Sequence, residues 1–373
     1  MTLEDFLSPL HESFGQTESE NSYGHVIQSY IDTFPDWEEA DIAIFGVEEG
    51  RNTKNKETAS APDKLRRELY ALVANLPKTS IVDLGNIAPG NTFNDTRFAV
   101  QEVSRALLKD NIIPIILGGT KELAYGQYTA FQPILRNLEC TVISPRIGID
   151  QQDFLHDILL HEPNFLFNVN ALAYQSHYVR EKAISTLTKL YFNPLRLGVL
   201  RSDVAMAEPI LRNTDMCVFD IGSVKQADAP GNYYNNPSGL TSEEACQLAW
   251  YAGMSEKMRS FGIYEVNPEF DYRDTTSKLG AQILWYFIDG YYNRKGDHPF
   301  LHSEFVKYRC TMTDNEPDVV FYKSKRTERW WMEIPGHSGS DMLVIPCTYA
   351  DYTLATTGEM PDLFFKALQK NAK

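Results

Sequence analysis

The sequence predicts a three-layer α/β/α fold with a mostly parallel, doubly wound sheet, followed by a small β-rich C-terminal appendage. Two observations predict it. Short apolar, β-branched segments alternate with amphipathic helical segments through the central part of the chain. After about Asn293 the pattern changes to short strands separated by polar or glycine-rich turns. With 373 residues, 43% of them hydrophobic, the chain is long enough to bury a large core.

Seven segments are predicted to be strands of the main sheet, because each is short and apolar on both faces. In chain order they are 41–47, 80–85, 112–119, 140–144, 195–200, 216–221 and 262–267. Amphipathic patterns predict helices at 61–71, 97–109, 123–138, 242–261 and 275–291. Pro62 suits the first turn of its helix, and Thr241 and Glu244 have the spacing of a capping box.

Four more short strands are predicted in the C-terminal part, at 305–312, 318–322, 329–334 and 342–346. This part has little aliphatic content, so we expect it to pack on the core rather than fold alone. The predicted division is an N-terminal extension (1–39), an α/β domain (40–293) and the C-terminal appendage (294–373). The aromatic residues of the appendage, such as Trp330 and Trp331, are expected to face the core. The alternative is that they form a partner-binding surface on the appendage.

Composition and charge limit the classes of binding partner and the cellular compartment that we expect for this protein. The net charge of -15 argues against binding to nucleic acid or to an anionic membrane. The five cysteines are widely spaced and form no CxxC pair, which favours buried, reduced thiols. The N-terminus has acidic residues early and no apolar core of a signal peptide, and no apolar run approaches the length of a membrane span. We therefore expect a cytoplasmic protein.

Polar motifs follow the predicted strands, where doubly wound sheets place their ligands. They include Gly118-Gly-Thr-Lys-Glu122, Ser144-Pro-Arg-Ile-Gly148, Phe219-Asp-Ile-Gly-Ser223 and the pair GLTSEEA and YEVNPEFD. In this order and spacing they resemble the ureohydrolase family of arginase, agmatinase and formimidoylglutamase, over about residues 40–290. The resemblance implies a parallel sheet with helices on both faces. It also implies a homo-oligomer, and cleavage of guanidino or formimidoyl C–N bonds by water that two manganese ions activate.

The metal ligands that the resemblance implies, two histidines and four aspartates, are mostly missing. The degenerate metal-site positions are Lys121, Ser144, Arg146, Gly148, Asp220 and Gly222, and only Asp220 keeps its ligand type. A register shifted by two residues would instead place Asp150 in a ligand position. An ammonium group about 4 Å from a divalent ion costs on the order of 8 kcal/mol at an effective dielectric constant of about 20. We therefore predict no metal cofactor.

The two new cations suggest a replacement for the metal. We expect Lys121 and Arg146 to pair with Asp220 and Glu265 in an ionic cluster; the alternative is that they point into solvent. Glu265 and Asn267, with His177 after another strand-like segment, are the residues expected to recognise a small amine or amidine ligand. For Glu265, pairing with a cation is an equally good interpretation.

The sequence favours a catalytically degenerate ureohydrolase with a scaffold or binding role, in which Lys and Arg replace the metal site. The alternative is a hydrolase of linear amidines of the formimidoylglutamase or arginase type. That enzyme would use a relocated or single metal, with manganese as its cofactor.

Overall fold

A computed structural model describes residues 2–15, 19–51, 53–74, 80–149, 153–299, 304–312, 317–336 and 342–371. The strands in these residues are β1 (Gln28–Ser29), β2 (Ile42–Val47), β3 (Ile81–Ile87), β4 (Ile113–Gly118), β5 (Leu138–Ile143), β6 (Leu166–Tyr174), β7 (Asn193–Arg196), β8 (Met216–Asp220), β9 (Ser260–Tyr264), β10 (Phe305–Cys310), β11 (Val319–Ser324), β12 (Trp330–Pro335) and β13 (Met342–Cys347). Strands β1–β9 form one parallel sheet in the order β1-β3-β2-β4-β9-β8-β5-β6-β7.

Helices cover both faces of this sheet. The α-helices in the described residues are α1 (Tyr23–Val26), α2 (Ala61–Tyr70), α3 (Phe93–Lys109), α4 (Ala124–Thr129), α5 (Phe154–Leu159), α6 (Glu181–Lys189), α7 (Leu197–Ser202), α8 (Ala207–Arg212), α9 (Ser242–Gly253), α10 (Thr275–Tyr292), α11 (Tyr349–Thr356) and α12 (Asp362–Asn371), of which α11 and α12 pack instead on the second sheet, β10–β13. Alternate residues of β2 enter different apolar clusters: Ile42 and Ile44 pack with α2, α9 and α10, whereas Phe45 and Val47 pack with α3 and α4. The three-layer fold expected from the sequence is confirmed.

Local signals place the main helices as expected. Pro62 lies in the first turn of α2. Thr241 and Glu244 form a reciprocal capping box at the start of α9, with the Thr241 side chain accepting from the Glu244 backbone N–H. All five cysteines are buried and free. No helix within the described ranges is long and apolar enough to cross a membrane.

The largest differences from the sequence expectation concern one predicted strand and the ends of two predicted helices. The predicted strand 195–200 is wrong, since β7 ends at Arg196 and α7 begins at Leu197; this short apolar run buries residues at helical spacing. The predicted helix 123–138 stops at Thr129, and β5 starts at 138. The predicted helix 242–261 stops at Gly253, where a Cβ would lie 2.1 Å from the carbonyl oxygen of Phe287 on α10. The seven predicted strands also omit β1 and β6.

The four C-terminal strands expected from the sequence are present and form a second, antiparallel sheet in the order β10-β11-β12-β13. Helices α11 and α12, which the sequence analysis did not predict, pack on it. Trp330 and Trp331 are buried, in agreement with the expectation that they face the core. The guanidinium of Arg212 on α8 lies 4.3 Å from the ring centroid of Trp331. Its Nη2 also donates to the carbonyl oxygens of Trp330 and Cys347, at 3.1 and 3.3 Å. Arg212 therefore fastens this sheet to the α/β layers.

A buried ion pair joins α2 to the sheet. Arg66 is fully buried, and its Nε donates to Asp83 Oδ2 on β3 at 2.7 Å. Its Nη1 donates to Asp63 at 2.9 Å, and the Tyr70 hydroxyl donates to Asp83 at 3.0 Å. Breaking such a pair from one side leaves an uncompensated buried charge, which destabilises a fold strongly.

We predict that Arg66→Met lowers the free energy of unfolding by about 3–5 kcal/mol, because Asp83 would stay buried without its cation. Urea unfolding at neutral pH measures the change. Arg67→Met is the matched control; its side chain is exposed and lies 5.7 Å from the centroid of the Phe14 ring, so a change within about 1 kcal/mol is expected. A loss for Arg66→Met no larger than the control's would contradict the prediction.

Candidate functional site

Four neighbouring strands bring the candidate residues together. Strands β4, β9, β8 and β5 are adjacent in the sheet and parallel, so their carboxyl ends meet at one edge. Lys121 follows β4, Glu265 follows β9, Asp220 ends β8 and Ser144 follows β5. This edge is where doubly wound sheets place their ligands.

The turn after β4 needs glycine for a close backbone approach. A Cβ at Gly119 would lie 2.0 Å from the carbonyl oxygen of Glu49. The Gly119 carbonyl in turn accepts a hydrogen bond from the backbone N–H of Glu265 at 3.0 Å. These contacts direct the next residues, Thr120 and Lys121, into the interior, where both are buried.

The Lys121 ammonium pairs with the one retained carboxylate. Its Nζ lies 3.7 Å from Asp220 Oδ2, and the two side chains are only 11% and 4% exposed. Burial by itself lowers the pKa of Lys121, but Asp220, followed by Asp153 and Glu265, raises that pKa above its usual value. Lys121 therefore stays charged, and the ion pair expected from the sequence is present for this residue.

Both oxygens of the Asp220 carboxylate already have partners in this chain. Its Oδ2 also accepts from the Ser144 hydroxyl at 2.8 Å, and its Oδ1 accepts from the Gly222 backbone N–H at 2.8 Å. A Cβ on Gly222 would lie 2.9 Å from Asp220 Oδ1, so glycine allows the carboxylate to bend back over its own turn. Both oxygens are engaged by groups of this chain.

The Glu265 carboxylate holds neighbouring turns in place. Its Oε1 accepts from the Lys121 backbone N–H at 2.8 Å and from the Thr120 hydroxyl at 3.1 Å. Its Oε2 accepts from Asn55 Nδ2 at 2.8 Å, and Asn267 Nδ2 donates to the same Asn55 amide at 2.6 Å. Glu265 has a positive φ of 69°, a strained conformation for this residue type, which these contacts maintain.

Two acids of the site, Glu122 and Asp153, were not foreseen from the sequence. Burial, with a further contribution from Asp153, raises the pKa of Glu122 to about 8. Burial also raises the pKa of Asp153, although Lys121 opposes the rise. A Cβ at Gly148 would lie 2.0 Å from Asp153 Oδ2, so this carboxylate fills the space of a side chain at position 148. In the sequence, Asp153 offers only the signal of a helix N-cap, which it also is.

The prediction that Arg146 pairs with Asp220 or Glu265 is wrong for the described structure. Its guanidinium lies between the rings of Tyr178 and Tyr234, 4.1 and 4.3 Å from their centroids. Two aromatic faces from separate loops hold the cation away from the strand-end carboxylates. His177, exposed beside the Tyr178 ring at a centroid distance of 4.2 Å, lies outside the ionic cluster.

Little room remains at the degenerate positions. A cavity of about 10 Å³ is lined by residues that include Ser144, Arg146, Gly148 and Asp153. That volume accommodates about one water molecule. Asp150, the alternative ligand, lies outside the described residues.

The donor groups do not fit a two-manganese centre of the ureohydrolase type. Asp220 shares its oxygens with the Lys121 ammonium and two hydrogen-bond donors, and positions 144, 146, 148 and 222 carry no carboxylate or imidazole. Mn²⁺ favours carboxylate, imidazole and water ligands, and a neighbouring ammonium group repels it. In the described part of the chain, no group of three or more His, Cys, Asp or Glu side chains is suited to hold a metal ion.

Comparisons with known proteins identify the relatives. The arginase family profile matches residues 40–144 and 176–289. A formimidoylglutamase of Clostridium tetani is 25% identical over 279 residues, covering 66% of this chain and 80% of that protein. The structure of Bacillus subtilis formimidoylglutamase matches with a TM-score of 0.66 at 19% identity, covering 76% and 97% of the two chains. Trypanosoma cruzi formiminoglutamase with Mn²⁺ matches with a TM-score of 0.64 at 18% identity, covering 70% and 96%.

We predict that Lys121→Met lowers the free energy of unfolding by about 3–5 kcal/mol at pH 8, because Asp220 and the neighbouring buried carboxylates lose the cation that lies among them. The loss should shrink at pH 5, where these carboxylates can take up protons on folding. Chemical unfolding at both pH values measures this. Lys64→Met, which breaks an exposed pair with Asp274, should cost less than about 1 kcal/mol. An equal loss for Lys121→Met at both pH values would contradict the ionic cluster.

Glu122→Gln tests the raised pKa of Glu122. Between its ordinary pKa of 4.5 and the folded-state value of about 8, the folded protein holds a proton that the unfolded chain has released. Folding therefore becomes less favourable as pH rises through this window, and glutamine removes the effect. We expect the variant to gain on the order of 1–3 kcal/mol over the wild type between pH 5 and pH 8. A difference in unfolding free energy that is independent of pH would contradict it.

Proposed function

This chain belongs to the arginase family, and we propose that its strand-end cleft has a binding or scaffold role without metal-dependent hydrolysis. One observation carries the proposal: Lys121 Nζ lies 3.7 Å from Asp220 Oδ2, the carboxylate at the one retained ligand position. The ammonium group supplies, within the protein, positive charge that a metal ion supplies in metal-dependent relatives. The cleft can then fold without a metal.

The space in the cleft supports this proposal. The cavity of about 10 Å³ beside Ser144 and Arg146 has room for about one water molecule. A linear amidine of several heavy atoms needs many times that volume. The Glu265 carboxylate accepts hydrogen bonds from three groups of this chain, which supports a structural role. An amine or amidine ligand would therefore meet the rim formed by Arg146, Tyr178 and His177.

The proposal also includes a protein partner that binds the C-terminal appendage. Its tryptophans are buried, and its exposed apolar side chains include Tyr349, 63% exposed, and Met342, 44% exposed. The charge of the whole chain, -15, favours a partner surface of opposite sign. A homo-oligomer remains part of the proposal because of the family to which the chain belongs.

A formimidoylglutamase-type hydrolase is the second candidate, and the comparisons favour it. The matched relatives carry that name, and the similarity extends over 80% of the C. tetani protein and 97% of the B. subtilis chain. In this reaction the oxygen of water bonds to the amidine carbon and the C–N bond to the amino acid breaks, which releases formamide and glutamate. The candidate requires a relocated or single metal.

Metal binding and turnover separate the two candidates. We predict that the purified full-length protein, treated with EDTA and then given about 1 mM MnCl₂, retains far less than one equivalent of manganese. Its melting temperature should change by less than about 1 °C, whereas a site occupied at about 100 times its Kd would add about 2.7 kcal/mol and shift it by several degrees. Incubation with N-formimidoyl-L-glutamate should release no glutamate.

Asp220→Asn provides the matched control. Under the binding or scaffold proposal, manganese has as little effect on this variant as on the wild type. Under the hydrolase candidate, the wild type binds manganese and releases glutamate; the variant loses both properties if Asp220 holds the metal and keeps them if the metal is relocated. One or more equivalents of bound manganese together with glutamate release by the wild type would overturn the proposal.

A further inference from the structure

A second cavity lies at the opposite end of the sheet from the strand-end cleft. Its volume is about 890 Å³, within the range of small-molecule sites. Glu139, Asn168 and Asn193, at the amino-terminal ends of β5, β6 and β7, form one side. Helix α8 and the C-terminal appendage, including α12, form the other sides of the cavity. This junction cavity belongs to both parts of the chain.

The floor of the junction cavity is polar although it is buried. Asn168 and Asn170 are 5% and 2% exposed, at alternate positions of β6 where apolar residues would ordinarily face a covering helix. Asn193 Nδ2 on β7 donates to Asn170 Oδ1 at 3.1 Å. The Lys370 ammonium, from the last turn of α12, donates to Asn168 Oδ1. These amides therefore present hydrogen-bonding groups beside a half-buried cation.

The acids that line this cavity are mostly engaged. Glu139 accepts from the amides of Asn168 and Asn213, at 2.8 and 3.2 Å. Glu208 lies 3.2 Å from Arg212 Nε and 3.1 Å from Arg329 Nε. Asp351 and Asp203 accept backbone hydrogen bonds at helix starts, and Asp362 is exposed.

The cations that line the junction cavity, in contrast, can still donate hydrogen bonds. In the described residues the Lys370 ammonium donates to a neutral amide and has no carboxylate at ion-pair distance. Burial lowers the pKa of Lys370 to about 8; Glu139 opposes this shift, and the neighbouring Lys366 contributes to it. Arg212 is buried, and its Nη1 has no hydrogen-bond partner among the described residues. Lys370 and Arg212 can therefore still donate to an anion, while Glu208 Oε1 lies at ion-pair distance from Arg212 and Arg329 but accepts no hydrogen bond among the described residues.

We propose that the junction cavity binds a small carboxylate with an apolar body, whose head group accepts hydrogen bonds from Lys370. The apolar body contacts the wall formed by Ile210, Leu343 and Ile345. The lining acids outnumber the lining cations by one, so a singly charged carboxylate suits this cavity better than a doubly charged phosphate. The site does not depend on the function proposed for the strand-end cleft.

Calorimetric titration of the full-length protein with 4-phenylbutyrate tests this site. We expect binding of the carboxylate, and at least tenfold weaker binding of 4-phenylbutanamide and of 4-phenylbutylamine, which share its body but not its charge. The affinity for 4-phenylbutyrate should fall as pH rises from 7 to 9. The ligand stays ionised in this range, whereas Lys370 of the unliganded protein loses its proton. Equal binding of the three compounds, or no binding of the carboxylate, would overturn the proposal.

Variants locate the binding. Lys370→Met should weaken 4-phenylbutyrate binding at least tenfold, whereas Lys189→Met, an exposed lysine in the last turn of α6, should leave it unchanged. Ala205→Trp places an indole in the cavity from an exposed lining position and should abolish binding without touching any charge. If Lys370→Met fails to fold, Ala205→Trp and the pH series decide the question. Unchanged affinity in Ala205→Trp would overturn the assignment.

Discussion

The Lys121 ammonium lies where the ends of four parallel strands meet, and the turns around it are arranged about its charge. Four carboxylates act on it, those of Asp220, Asp153, Glu265 and Glu122. Burial raises the pKa of Glu122 to about 8, which favours its protonated form at neutral pH. Burial also raises the pKa of Asp153 and Glu265, while Lys121 remains charged. One ammonium group and the proton on Glu122 thus offset part of the negative charge at this edge.

The two ends of the sheet carry different polar clusters because different segments cover them. At the carboxyl ends, the turn after β5 leaves a cavity of only about 10 Å³ beside Ser144, Arg146 and Gly148. At the amino ends, α12 and the antiparallel sheet approach from the side and leave a wide cavity. The small sheet buries one face against α11 and α12, and Arg212 connects its edge to α8. A unit of this size gains stability from such a contact with a larger core.

Most of the fold follows from patterns that the sequence displays directly. Short strands buried on both faces give continuous apolar runs, and capping residues mark where α9 begins. The pairing of Lys121 with Asp220 follows from their opposite charges and from the positions of β4 and β8 on either side of β9. The position of Arg146 could not be predicted, since Tyr178 and Tyr234 come from loops distant in sequence. Strand β6 was harder to recognise because Asn168 and Asn170 interrupt its apolar pattern.

The closure of the strand-end cleft extends beyond the loss of ligand side chains. Side chains restored at Gly148 and Gly222 would enter occupied space, with Cβ atoms 2.0 Å from Asp153 Oδ2 and 2.9 Å from Asp220 Oδ1. Aspartates at both positions would also add negative charge beside Asp220 and beside Asp153, whose pKa burial already raises. Replacing Lys121 by histidine would remove the permanent cation that offsets this charge. Recovery of a family-type metal centre therefore requires the Asp153 side chain to leave the space beside Gly148, in addition to the return of the missing ligands.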